Sequence, residues 1–153
     1  MALAALCHDL ARLLPPAEMA SELRRRGIDP ESLGCAVPVL LHGVLSAELA
    51  KEEIGITDEE ILNAIRMHAT GSGEMSLLDK LIYVADKVEK NRQYEGADEL
   101  RETVRKDFHR GFLDVVSAVI RWVVVQSQPL DYNSVAAYNT ALEELKAAKG
   151  RGG

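Results

Sequence analysis

The chain has 153 residues, with 18 Lys+Arg against 24 Asp+Glu, a formal net charge of −6 and 47% hydrophobic residues. That is enough apolar material for one core, in which a chain of this size buries roughly 70% of its unfolded surface, so general disorder is excluded. The acidic balance argues against a protein that holds a nucleic-acid polymer, which needs a surplus of Lys and Arg on one face.

Helical rather than alternating periodicity runs along almost every segment, between short Gly, Pro and Asp breaks. The pattern predicts an all-α fold, with helices over 2–14, 16–26, 30–36, 40–54, 58–69, 76–91, 97–127 and 133–148; an interruption in 97–127 would fall near Asp107. Caps set the boundaries: Asp29-Pro30 fits an N-cap with a first-turn proline, Thr57 with Glu60 a capping box, and Ser76 with Asp79 another. Phe112, Val115, Val116, Val119, Ile120, Val123 and Val124 form a core stripe with Trp122 at its edge. No repeat or linker divides the chain, so 1–148 reads as a single domain and 149–153 as a flexible tail.

Met1 to Cys7 is apolar but has no basic region, and Leu6 before Cys7 is too bulky for a lipoprotein-type cleavage site, so no export signal is expected. The most apolar stretch, Val115 to Val125, is too short to cross a bilayer. Cys7 and Cys35 make no CxxC pair and no disulfide framework, which fits a reducing cytoplasm.

Four sites, five residues in all, stand out against this background. His68 closes an apolar stripe begun by Ile61 and Ile65, and His42 follows the apolar run Val37 to Leu41. His8 and Asp9 lie among Leu6, Leu10, Leu13 and Leu14; Asp86 lies among Leu81, Ile82, Val84, Ala85 and Val88. Any one of these histidines alone reads as a hydrogen-bonded core or helix-end residue. Together they point to a divalent cation, because imidazoles and carboxylates from separate helices converge on metals in helical bundles and the cation compensates the buried carboxylates. Such mixed ligation suits iron, manganese or zinc better than magnesium or calcium.

The ordered set Leu6-Cys7-His8-Asp9-Leu10-Ala11, Leu41-His42-Gly43, Arg66-Met67-His68-Ala69-Thr70-Gly71 and Tyr83-Val84-Ala85-Asp86-Lys87-Val88-Glu89, followed by Asn91-Arg92 and Gly96 to Arg101, resembles the HD-domain metal phosphohydrolases, specifically the YqeK family. The similarity runs from about Ala4 to about Leu145. It implies an HD-domain helical bundle, a binuclear iron centre, and symmetrical cleavage of diadenosine tetraphosphate to two ADP. Carried over by position, it makes His8, Asp9 and Asp86 ligands of one metal, His42 and His68 ligands of the other, Asp9 the bridging carboxylate, and Asp9 and Asp86 the catalytic carboxylates. The family pattern also has a further helix upstream with another metal histidine, which this sequence lacks. Its absence implies weaker binding at the His8, Asp9 and Asp86 site, an exposed apolar face around Leu6 to Leu14, and a homo-oligomer that covers it.

Arg66, Thr70, Lys80 and Arg92 are candidates for contacting the polyphosphate, with Thr70 to Gly73 offering backbone N–H groups. Lys87 and Lys90 crowd the same segment, but their charges can be satisfied by water. Asp79 shares the helical face of Asp86 and either caps its helix or orients a ligand. His109 reads as solvated among Lys106, Asp107 and Arg110. Two other readings stay open: an HD phosphohydrolase of another nucleotide, and a non-catalytic helical interaction module that keeps the scaffold and a structural metal.

Overall fold

Helices account for all the regular structure among residues 1–150, which the computed structural model describes, and no strand occurs there. Eight α-helices follow one another: α1 (Ala2–Cys7), α2 (Pro16–Arg25), α3 (Leu41–Glu53), α4 (Glu59–Met67), α5 (Leu77–Val88), α6 (Ala97–Lys106), α7 (Phe108–Val125) and α8 (Tyr132–Gly150). Short 3₁₀ turns at Pro30–Leu33 and Pro38–Leu40 join α2 to α3, the first of them where a longer helix over 30–36 was expected.

Three boundaries differ from the pattern for identifiable reasons. The helix expected over 2–14 ends at Cys7: the Ala5 carbonyl pairs with the His8 ring, the Ala11 N–H goes to Ser46 Oγ of α3, and residues 8–13 tighten into successive turns. At α4 the N-cap is Asp58, not Thr57: its carboxylate accepts from the N–H groups of Glu60 and Ile61. Asp107 does interrupt 97–127, in an extended conformation that ends α6 and caps α7 by accepting from the Arg110 N–H. The Ser76 and Asp79 capping box forms as the spacing requires. At the other end, α8 includes Lys149 and Gly150, and the remaining three tail residues lie outside the described residues.

Two cores meet at α5. Ile82 faces Ala4, Cys7, Leu62 and Ile65 of α1 and α4, while Tyr83 and Val84 face Phe112, Val115, Val116, Ala137 and Ala141 of α7 and α8. A third group joins α2 to α3 through Met19, Leu23, Leu41 and Leu45. The stripe on α7 is shorter than its sequence suggests: Val124 is exposed, as is Trp122, because the last turn of α7 runs past the end of the core. Leu6 and Leu13 stand 79% and 97% exposed, with Leu3 and Leu10 beside them in the same segment.

The closest backbone approach lies next to the candidate ligands. A Cβ on Gly43 of α3 would sit 2.7 Å from the Arg66 carbonyl oxygen of α4, so only glycine lets these two helices touch there. Gly43→Ala should therefore destabilise the fold by about 1–3 kcal/mol and push His42 away from His68. Urea denaturation and metal titration check this; an alanine variant with unchanged midpoint and metal affinity would contradict it.

Candidate metal centre

Each of the three histidines at the centre of the molecule is held in the same way. His8 and His68 are the C-cap residues of α1 and α4, where the last-turn carbonyls have no helical partner. The ring Nδ1 of His8 donates to the Ala5 carbonyl (2.7 Å), and that of His68 to the Ile65 carbonyl (2.7 Å). His42 opens α3 after the Pro38–Leu40 turn, and its Nδ1 donates to the Val39 carbonyl (2.6 Å). A carbonyl only accepts, so each Nδ1 carries a proton, and in the neutral imidazole each Nε2 then presents a lone pair.

Those lone pairs converge. His42 Nε2 and His68 Nε2 are 3.0 Å apart, and each is 3.4 Å from Asp9 Oδ1. The other carboxylate oxygen, Asp9 Oδ2, lies 3.5 Å from His8 Nε2, which in turn is 3.8 Å from Asp86 Oδ1. The His8 ring meets the His68 ring edge-on, with centroids 4.8 Å apart. Asp9 thus stands between two groups of donors, one oxygen toward each.

This donor set fits divalent cations. With both rings neutral and Nδ1 protonated, the His42 and His68 nitrogens have no proton to share across their 3.0 Å gap, and a cation between them satisfies both. Bonds of about 2.0–2.2 Å put neighbouring donors roughly 3–3.5 Å apart around a metal, which matches the His42, His68 and Asp9 triangle. Helix C-termini at His8 and His68 add their negative ends to the same place. His8, Asp9 and His68 alone already bring three ligand atoms within 4.8 Å of one another.

Asp86 is set into the last turn of α5 and surrounded by cations. Lys87 Nζ donates to Asp86 Oδ2 (2.8 Å) and to the His68 carbonyl (2.9 Å), so it ties α5 to the end of α4. It also sits 4.6 Å from the Tyr83 ring centroid. Arg92 donates to Asp86 Oδ1 through Nη2 (2.8 Å) and to the Asp86 carbonyl through Nε (3.0 Å). Burial pushes the Asp86 carboxyl up, but His8, Lys87 and Arg92 outweigh it and hold it well below the usual carboxylate range. Asp9 is lowered chiefly by its bond to His68, His42 is lowered by burial, and His8 is raised by Asp86. Lys87 is lowered by burial against the pull of Asp86.

Not every expected residue comes to this cluster. Asp9 is exposed rather than buried among leucines, because the chain turns outward after His8. Lys80 is buried with its ammonium on Glu144 of α8 (2.7 and 2.9 Å) and 5.5 Å from the Phe112 ring centroid, so its charge is already paired. The Thr70 hydroxyl donates to the Gly71 carbonyl, and its own carbonyl accepts from Ser134. The Gly71 N–H closes the end of α4 on the Met67 carbonyl. Arg66 turns toward Glu48 of α3 at 3.6 Å. Asp79, 1% exposed, caps α5 and accepts from Asn63 of α4 (3.0 Å), so it orients two helices without reaching the histidines.

Lys87 is a contact to the cluster that sequence reasoning undervalued. Adjacent residues on a helix do not normally face each other, and the i, i+1 spacing of Asp86 and Lys87 carries no signal for their pairing.

Residues 1–91 match the family model described as HD domain. The chain belongs to the HD-domain family. It is 35% identical over 144 residues to a symmetrical bis(5'-nucleosyl)-tetraphosphatase of Halalkalibacterium halodurans, covering 94% of this chain and 76% of that one. It is also 35% identical over 137 residues to a protein of the same description from Bacillus subtilis, covering 90% and 73%. Among solved structures it resembles a "predicted HD superfamily hydrolase involved in NAD metabolism" from Clostridium acetobutylicum, with a TM-score of 0.87 and 36% identity over 93% of this chain and 75% of that one. HD-domain hydrolases are metal-dependent, and this HD-domain chain is a hydrolase with a His/Asp cluster suited to that requirement. No helix among the described residues is long and apolar enough to cross a membrane.

Held below its ordinary value, Asp86 contributes stability that is complete above the unfolded carboxyl value near pH 4 and fades as pH falls toward the folded one. Metal-free protein should therefore lose stability below about pH 4, and Asp86→Asn should remove part of that slope, with Asp9 carrying the rest. Urea midpoints between pH 3 and 7 measure it; an identical slope in the variant would show that other carboxylates carry the effect.

Proposed function

We propose that this chain cleaves diadenosine tetraphosphate symmetrically into two molecules of ADP. The observation that carries the reading is the pair of donor groups joined by Asp9, with His42 and His68 on one oxygen and His8 with Asp86 on the other. Its support among relatives is the symmetrical tetraphosphatase description of the Halalkalibacterium and Bacillus proteins.

In this reading His8, Asp9 and Asp86 hold one cation, and His42, His68 and Asp9 hold the other. Bound divalent cations supply Lewis-acid polarisation of a phosphate, an acidified water for attack, and compensation for charge on the departing ADP. The chain's own residues keep the donors deprotonated and aimed: three carbonyls fix the imidazole tautomers, and Lys87 fixes the Asp86 carboxylate against the end of α4. Arg92 is exposed beside Asp86 and offers a planar guanidinium to a phosphate of the substrate.

Iron is the metal that the family resemblance favours, and the mixed nitrogen and oxygen donors suit it along with manganese and zinc. A cytoplasmic setting is supported by two free cysteines, one buried and the other, Cys35, with its thiol pushed up to about 11 chiefly by burial. Self-association is supported by the exposed row of Leu3, Leu6, Leu10 and Leu13.

The deciding experiment incubates Fe(II)- or Mn(II)-reconstituted protein with diadenosine tetraphosphate and separates the nucleotides. ADP as the sole product, with activity reduced at least about a hundredfold in His42→Ala, is expected. AMP with ATP would point to asymmetrical cleavage, and no turnover under any metal would favour the non-catalytic module. Light scattering on the same preparation should give a mass above that of one chain.

A further inference from the structure

The eight residues between α5 and α6 carry Arg92 beside Asp86, and one side chain holds two of that loop's carbonyls together with that of the last residue of α5. Arg101, in the second turn of α6 and largely buried, donates through Nε to the Val88 carbonyl (2.8 Å). Its Nη2 donates to the carbonyls of Glu89 (2.7 Å) and Arg92 (2.6 Å), and its Nη1 pairs with Asp98 (2.6 Å). Three carbonyls of Val88, Glu89 and Arg92 therefore point inward at one planar cation. Val88 is the last residue of α5, and Glu89 leaves the helix with ψ of 156°, so neither carbonyl continues the helical ladder; the Glu89 carbonyl also accepts from the Arg92 N–H (3.0 Å), which closes a turn in the loop. A guanidinium satisfies them together, where an ammonium lacks the fixed fork to do so.

Gathering the backbone inward decides where the side chain of Arg92 goes. With its carbonyl held by Arg101, Arg92 turns its guanidinium the other way, onto the carboxylate and carbonyl of Asp86. Nε and Nη2 are engaged there, while Nη1 makes no hydrogen bond among the described residues. A second strap runs from the Tyr94 hydroxyl to the Lys87 carbonyl (3.0 Å), and Gly96, at φ +85°, makes the turn that feeds the chain into α6 beneath the loop.

We propose that Arg101 is a positioning residue for phosphate recognition: by clamping the carbonyls of Val88, Glu89 and Arg92 it holds the Arg92 guanidinium at the mouth of the site, where it meets a phosphate of a nucleotide. The role rests on the phosphohydrolase reading above. It places the determinant of substrate affinity on α6, away from the metal-binding donors.

Three variants in the metal-loaded full chain test it: Arg101→Ala, Arg92→Ala and the double variant, with Arg101→Lys as the conservative replacement. For diadenosine tetraphosphate, Arg101→Ala should raise KM about tenfold with kcat changed far less, Arg101→Lys should recover part of that loss, and metal affinity should stay unchanged. The double variant should be no worse than Arg92→Ala, since the two residues act in series. Amide exchange over residues 88–96 should speed up in Arg101→Ala while α4 and α7 keep their protection. Calorimetric titration with ADP repeats the cycle without turnover. If the unsubstituted protein binds ADP but hydrolyses nothing, the functional reading fails and the ADP affinities still decide the positioning role. Additive losses in the double variant, loss of metal binding in Arg101→Ala, unchanged exchange in the loop, or no ADP binding by the unsubstituted protein would each overturn the proposal.

Discussion

The rest of the site depends on three hydrogen bonds between imidazole Nδ1 groups and backbone carbonyls three residues earlier, at Ala5, Val39 and Ile65. Each bond fixes a tautomer, and together the three leave Nε2 lone pairs pointing at Asp9. Two of these carbonyls are available because His8 and His68 sit where α1 and α4 end. A helix continued by one turn at either place would consume the carbonyl and release the ring. Helix termination is in this sense part of the chemistry.

Packing then sets how far apart the lone pairs lie. Gly43 lets α3 touch the backbone of α4, and Lys87 ties the end of α4 to Asp86 on α5. Removing water from these groups would be costly in isolation, and the compensation is arranged locally: Asp86 is surrounded by Lys87, Arg92 and His8, and Oδ2 of the buried Asp79 accepts from Asn63 and from the Ser76 N–H, while its Oδ1 has no partner among the described residues. The acidic chain thus sets Lys87 and Arg92 beside one carboxylate, next to donors that themselves suit divalent cations.

Much of this was legible in the sequence. Helical periodicity and the Ser76 and Asp79 box placed α5 correctly, and the unusual setting of His8, His42, His68 and Asp86 marked the residues that the fold brings together. What escaped was tertiary. Nothing local reports that Ser46 takes the Ala11 N–H where α1 has ended early, or that Glu144, 64 residues away, claims Lys80. Thr70 looked like a phosphate contact because it adjoins glycine, yet the same glycine closes α4 and turns the hydroxyl onto its own loop. Arg101 lay in a recognisable stretch, but its partners are carbonyls, which have no sequence signature.

The arrangement of proton-bearing and lone-pair nitrogens is directly observable by long-range ¹H–¹⁵N NMR of the imidazoles in metal-free protein near pH 8, followed by titration with Zn(II). His8, His42 and His68 should all show a protonated Nδ1 and an unprotonated Nε2, while exposed His109 shows the mixture of a free ring; added zinc should then shift the three Nε2 signals together. A proton found on Nε2 of His42 or His68, or zinc that leaves these nitrogens unmoved, would contradict the account.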